Sequence, residues 1–62
     1  MEFNEVVKKI NIGKRYKFDN RKFTLKPGIE EGYIHLVTDD TGEGIEEIYN
    51  FFSILYGKYE EI

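Results

Sequence analysis

Sixty-two residues, 34% of them charged and none of them cysteine, allow one domain and exclude a disulfide or a thiolate zinc site. The formal net charge is −3, and five Phe with five Tyr supply the bulk that such a short chain needs, since it buries only about 60% of its unfolded surface. No stretch approaches the roughly 18 uninterrupted apolar residues of a membrane span, and no basic segment followed by an apolar one opens the chain, so a cytoplasmic protein without a membrane partner is expected.

In chain order, Phe3, Val6, Val7 and Ile10 stand at the spacing of one helix face, and Glu5 can pair with Lys8 and Lys9 on the other. A short N-terminal helix is predicted, stopped at Asn11 and Gly13. A competing alternation of Ile10 and Ile12 would extend a strand backward instead. Tyr16 and Phe18, then Phe23 and Leu25, alternate with charged residues around the turn signal Asp19-Asn20. This predicts a hairpin with Tyr16, Phe18, Phe23 and Leu25 on one face and Arg15, Lys17, Lys22, Thr24 and Lys26 on the other. Pro27-Gly28 ends the second strand. Tyr33–Thr38 is a third strand, with Ile34 and Leu36 facing the helices and Tyr33, His35 and Val37 sharing the basic face.

The terminal stretch from Gly44 to Ile62 places Ile45, Ile48, Phe52, Leu55, Tyr59 and Ile62 at alternating three- and four-residue steps, with Tyr49 and Tyr56 widening the stripe. That spacing predicts one long helix, N-capped at Asp40 or Thr41, that Gly57 could end early. Asp39–Gly44 is also good hairpin chemistry, with Gly42 at a left-handed position. In that alternative Ile45–Tyr49 is a fourth strand of a small barrel-like sheet, and a shorter helix begins near Asn50. The expected fold is therefore a single α+β domain: a short N-terminal helix, a three-stranded antiparallel meander and a long C-terminal helix packed on one sheet face. Phe23 and Phe52 are expected to anchor the core.

Charge is unevenly divided. Residues 1–28 hold eight basic against three acidic side chains, a net +5, while residues 29–62 hold one against nine, a net −8. The acidic half suggests a surface of Asp39, Asp40, Glu43, Glu46 and Glu47 presented to a basic partner protein, because carboxylates spaced along a helix can imitate a phosphate track. The basic half suggests a nucleic-acid face of Arg15, Lys17, Lys22 and Lys26 with Tyr33 and His35 beside them for stacking. A third reading is a homodimer, through the basic hairpin of one copy against the acidic helix of another, through the apolar stripe, or through Phe51 and Ile54, the latter placed on the exposed side of the long helix.

Chemistry finds little footing. His35 is the only histidine, no hydroxyl has an activating signature, and Gly42-Glu43-Gly44 lacks the third glycine of a nucleotide fingerprint. Asp39, Asp40 and Glu43 do not have the spacing of an EF-hand loop. No catalytic residue, cofactor or metal is expected. The absence of Ala and Gln beside abundant Ile, Lys and Glu is the bias of AT-rich microbial or viral genes. The expectation is a small non-enzymatic interaction protein, of the accessory or inhibitory kind that viruses and mobile elements carry, acting through its acidic helix and loop. The alternative is a small nucleic-acid-binding protein acting through the basic hairpin.

Overall fold

A computed structural model describes the whole chain, Met1–Ile62. Its centre is the hairpin of β1 (Arg15–Phe18) and β2 (Arg21–Pro27), closed by Asp19 and Asn20 with φ of 51° and 63°. Positive φ at both positions is the two-residue turn whose twist matches the strands, and Asp and Asn tolerate it best among residues with a side chain. Tyr16 faces Phe23 across the ladder, Lys17 faces Lys22, and β3 (Ile34–Thr38) adds antiparallel on the far side of β2.

No long C-terminal helix exists. The chain makes two short helices instead, α2 (Ile45–Ile48) and α3 (Phe51–Tyr56), with Tyr49 and Asn50 extended between them. Asn50 is the reason for the break. Its side chain accepts a hydrogen bond from the Ser53 N–H at 2.9 Å, the bond of an N-cap, which restarts the helix and is incompatible with helix interior. Tyr49 reinforces it. Its ring lies edge-on to Phe18 at 5.1 Å and its hydroxyl donates to Asp19 at 2.7 Å, so the residue between the helices is held by the hairpin. The barrel-like alternative is also overturned. Ile45–Ile48 is helical, and only Gly44 bridges to Val37. A fourth strand does exist, but it is β4 (Glu60–Glu61), paired with β1, and the sheet order is β3-β2-β1-β4.

The break turns α3 about its axis relative to a continuous helix. Ile54, expected outside, is 5% exposed, while Phe52 and Tyr56, expected inside, are each 73% exposed. Phe52 is thus not a core anchor. Tyr59 keeps its inward role by a different route: it is buried in the strand approach to β4, with its ring stacked on Phe18 at 4.6 Å and an interplanar angle of 16°. At the other end, α1 (Phe3–Val6) is a single turn followed by a 3-10 turn at Lys9–Asn11, which leaves Ile10 84% exposed. Here too the cause is a capping residue. The buried Asn11 amide donates to the Glu5 and Val6 carbonyls, closing α1 early. Met1 and Tyr59 exchange backbone hydrogen bonds of 2.7 Å, tying the first residues to β4.

One continuous core results, made of Val6, Tyr16, Phe18, Phe23, Leu25, Leu36, Ile45, Ile54 and Tyr59. Two tyrosines in it differ in a way that can be measured. The Tyr59 hydroxyl donates to the Ile54 carbonyl at 2.7 Å, and burial pushes its pKa up to about 12. The Tyr16 hydroxyl is buried with no hydrogen-bond partner, and burial likewise raises its pKa. A buried unpaired hydroxyl is a net cost, whereas a buried paired one is a net gain. Tyr16→Phe is therefore expected to stabilise the fold by about 1 kcal/mol and Tyr59→Phe to destabilise it by about 1–2 kcal/mol. Urea unfolding followed by tyrosine fluorescence or circular dichroism reads both, and equal signs would contradict the assignment.

Candidate interaction surface

The acidic residues do not form one surface. Asp39 crosses to the sheet face, where its carboxylate accepts from the Thr24 hydroxyl at 2.7 Å and from Arg15 Nε at 3.0 Å. The Thr24 hydroxyl and then the Arg15 guanidinium hold its pKa below the usual carboxylate value. Arg15 and Thr24 are cross-strand partners, so antiparallel pairing itself prepares this anion seat. Asp40 and Glu43 stay exposed in the turn before α2, whose tight closure uses Gly42 at φ 78°.

Glu46 and Glu47 have a different environment. Glu47 reaches back to accept from the Gly44 N–H at 2.9 Å, which caps α2, and Glu46 lies 3.2 Å from His35 Nδ1 on β3. Tyr33 sits beside His35 with ring centroids 5.2 Å apart. Glu30, from the β2–β3 loop, closes the far side. Together Ile29, Glu30, Tyr33, His35, Glu46 and Glu47 line an open groove of about 480 Å³. It adjoins a smaller, mostly apolar cleft of about 180 Å³ whose lining shares Tyr33, His35 and Glu46. Glu30 was not legible as a site residue, because nothing local in Gly28–Gly32 says that the loop tip comes to lie near α2.

The proposed nucleic-acid residues are likewise divided. Tyr33 and His35 belong to the acidic groove. Arg15 is occupied by Asp39. Lys17 lies between Lys22 and Glu60 in one cross-strand row, and Lys26 is the cross-strand partner of His35. A run of positive charge is thus interrupted on both sides, by Asp39 at one end and by Glu60 at the other.

A second surface is the apolar contact face expected of this segment, built from other residues: Phe51 stays outside, Ile54 does not, and Phe52 and Tyr56 take its place. Phe51, Phe52 and Tyr56 stand 71–73% exposed on α3, and the Phe52 and Tyr56 rings are near-parallel at 6.1 Å and 19°. The signal for it was Asn50, read as a possible helix start but not as the pivot that turns these rings outward.

No three His, Asp or Glu side chains converge in the geometry of a metal site. No helix is long and apolar enough to cross a membrane. Compared with protein-family models, with curated proteins and with solved structures, the chain matches none of them.

Proposed function

We propose that the chain is a small non-enzymatic interaction protein whose groove between the β2–β3 loop and α2 receives a basic side chain of a partner protein. The observation that carries this reading is that Glu30, Glu46 and Glu47 line one groove that also contains Tyr33 and His35. Three carboxylates around an aromatic floor suit an Arg or Lys head group. The acids supply charge-assisted hydrogen bonds, and a tyrosine face attracts a cation by about 0.5–1 kcal/mol at an exposed site. An accessory or inhibitory role toward a nucleic-acid-binding protein fits such a surface, since it offers that partner's basic residues an alternative to phosphate.

The test is a charge reversal that spares the caps. Glu30→Lys with Glu46→Lys is expected to weaken binding of an arginine-rich peptide at least tenfold, with Lys17→Glu and Lys22→Glu leaving it unchanged or tighter. Glu47 is left alone because its reversal would also uncap α2. Fluorescence anisotropy at two salt concentrations reads the result. Oligonucleotide binding that shows a steep salt dependence and is lost on reversing Lys17 and Lys22 would instead establish the basic hairpin as the working face.

A further inference from the structure

We propose that the outer face of α3 is a self-docking surface, by which two copies of this chain pair across a two-fold axis. At 100° per residue, Phe51, Leu55, Phe52 and Tyr56 fall within an arc of roughly 140° on α3, with Ile54 on the buried side. Three of the four are more than two-thirds exposed. Their combined outward area is roughly 400 Å², which is within the range of the largest apolar patch on a monomer, and such patches are commonly functional.

The occupant follows from charge. Asn50–Gly57 is a run of eight residues without a charged side chain, in a protein where 34% are charged and the net charge is −3. Two copies repel least where neither carries charge, so this is the face on which like can meet like. The rim of the same face is self-complementary. A groove of about 540 Å³ runs beside Phe52 and Tyr56 and contains Asp19 and Lys58. A two-fold contact brings the same patch of both copies together, so Lys58 of each copy can meet Asp19 of the other. Both groups are available for this: Asp19 engages only Tyr49 through one oxygen, and Lys58 is held only by a loose 3.9 Å contact with Glu2.

A standard interface buries about 800 Å² per partner, and the aromatic arc supplies about half of that, with the groove walls and the Lys58–Asp19 rim adding the rest. Area does not fix affinity, and a contact whose apolar centre is one six-residue helix belongs with weak, transient pairs, for which a dissociation constant of roughly 10–100 μM is expected. The dimer answers the shortage of buried surface inherent in a 62-residue chain.

Sedimentation velocity between roughly 5 μM and 1 mM is expected to show the mass rising from the monomer value of 7.4 kDa toward twice that. Phe52→Ser with Tyr56→Ser is expected to shift the association at least tenfold to higher concentration with an unchanged circular dichroism spectrum, and Lys58→Glu to weaken it about threefold to tenfold, an effect that salt reduces. Glu30→Lys with Glu46→Lys should leave it intact, which separates this inference from the partner groove. A wild-type protein that stays monomeric throughout overturns the proposal, as does a dimer indifferent to the Phe52 and Tyr56 substitutions. Monomeric protein that co-sediments with phosphatidylcholine vesicles, and loses that property in the double serine variant, would assign the face to a lipid surface instead.

Discussion

Phe23→Ala is expected to cost about 3–5 kcal/mol and leave the domain largely unfolded at room temperature, while Phe52→Ala leaves the thermal melt within a few degrees of wild type. Phe23 is fully buried at the centre of β2, with Phe18 and Tyr49 against its ring at 6.2 and 6.4 Å. Removing it opens a cavity that neither neighbour can fill, because each is held by contacts of its own. Phe18 is stacked on Tyr59, and Tyr49 is bonded to Asp19. A domain of this size has little stability to spare. Phe52 is solvated apart from its stacking on Tyr56, so its truncation loses one weak pair. One long helix would make the two substitutions equivalent. Far-UV circular dichroism melts of both variants, recorded at low protein concentration to keep association out of the comparison, decide between the arrangements. Equal losses would refute the broken helix.

Gly57→Ala carries the second large effect, and its sign is the informative part. Within a continuous helix, Gly to Ala stabilises by about 1 kcal/mol. Here the same change is expected to destabilise by about 1–3 kcal/mol. The backbone dihedrals are not the cause, since φ −71° and ψ 166° suit any residue. Space is the cause. A Cβ at Gly57 would lie 2.1 Å from Phe18 Cε1 and 2.6 Å from the Ser53 carbonyl oxygen. Neither can retreat, because Phe18 is clamped between Tyr49 and Tyr59 and the Ser53 oxygen accepts the bond that ends α3. Gly57 therefore lets the chain pass directly beneath Phe18 on its way to β4. Chemical denaturation of Gly57→Ala reads the sign, and a stabilised variant would show that the close approach is absent.

The hairpin was legible because its signals are local: Tyr16, Phe18, Phe23 and Leu25 alternate strictly, and Asp19-Asn20 is itself a turn. The face assignment followed directly from the period of two, and Tyr16, Phe18, Phe23, Leu25 and Leu36 are all buried. The C-terminal third reads as one helix because its apolar spacing runs through Tyr49 and Asn50 without a defect. Three- and four-residue steps are compatible with one long helix, and equally with two short ones joined by a capping residue. Periodicity records which residues are apolar, and it does not record where the axis turns. Tyr59 illustrates the ambiguity. Its burial is legible in the spacing and its conformation is not, because a buried aromatic ring stacks on Phe18 as well from a strand approach as from a helix.

The site was less legible than the fold for a related reason. Glu46 and Glu47 were recognisable as acidic residues near a helix start, but Asp39 could not be separated from them. Its pairing with Arg15 depends on a contact across 24 positions of chain. Glu30 and the outward aromatics of α3 depend in the same way on where α2 and α3 settle against β3 and the hairpin. By itself the sequence determined the meander, its inward face and the division of charge, since each follows from neighbouring residues and a fixed repeat. Tertiary structure alone decided the break at Asn50, the return of Glu60–Glu61 to β1 and the grouping of carboxylates around Tyr33 and His35. At Asn50 a local cap on Ser53 is backed by the hold of Phe18 and Asp19 on Tyr49, and the other two depend on pairing or packing against residues distant in the chain, which an apolar repeat does not record.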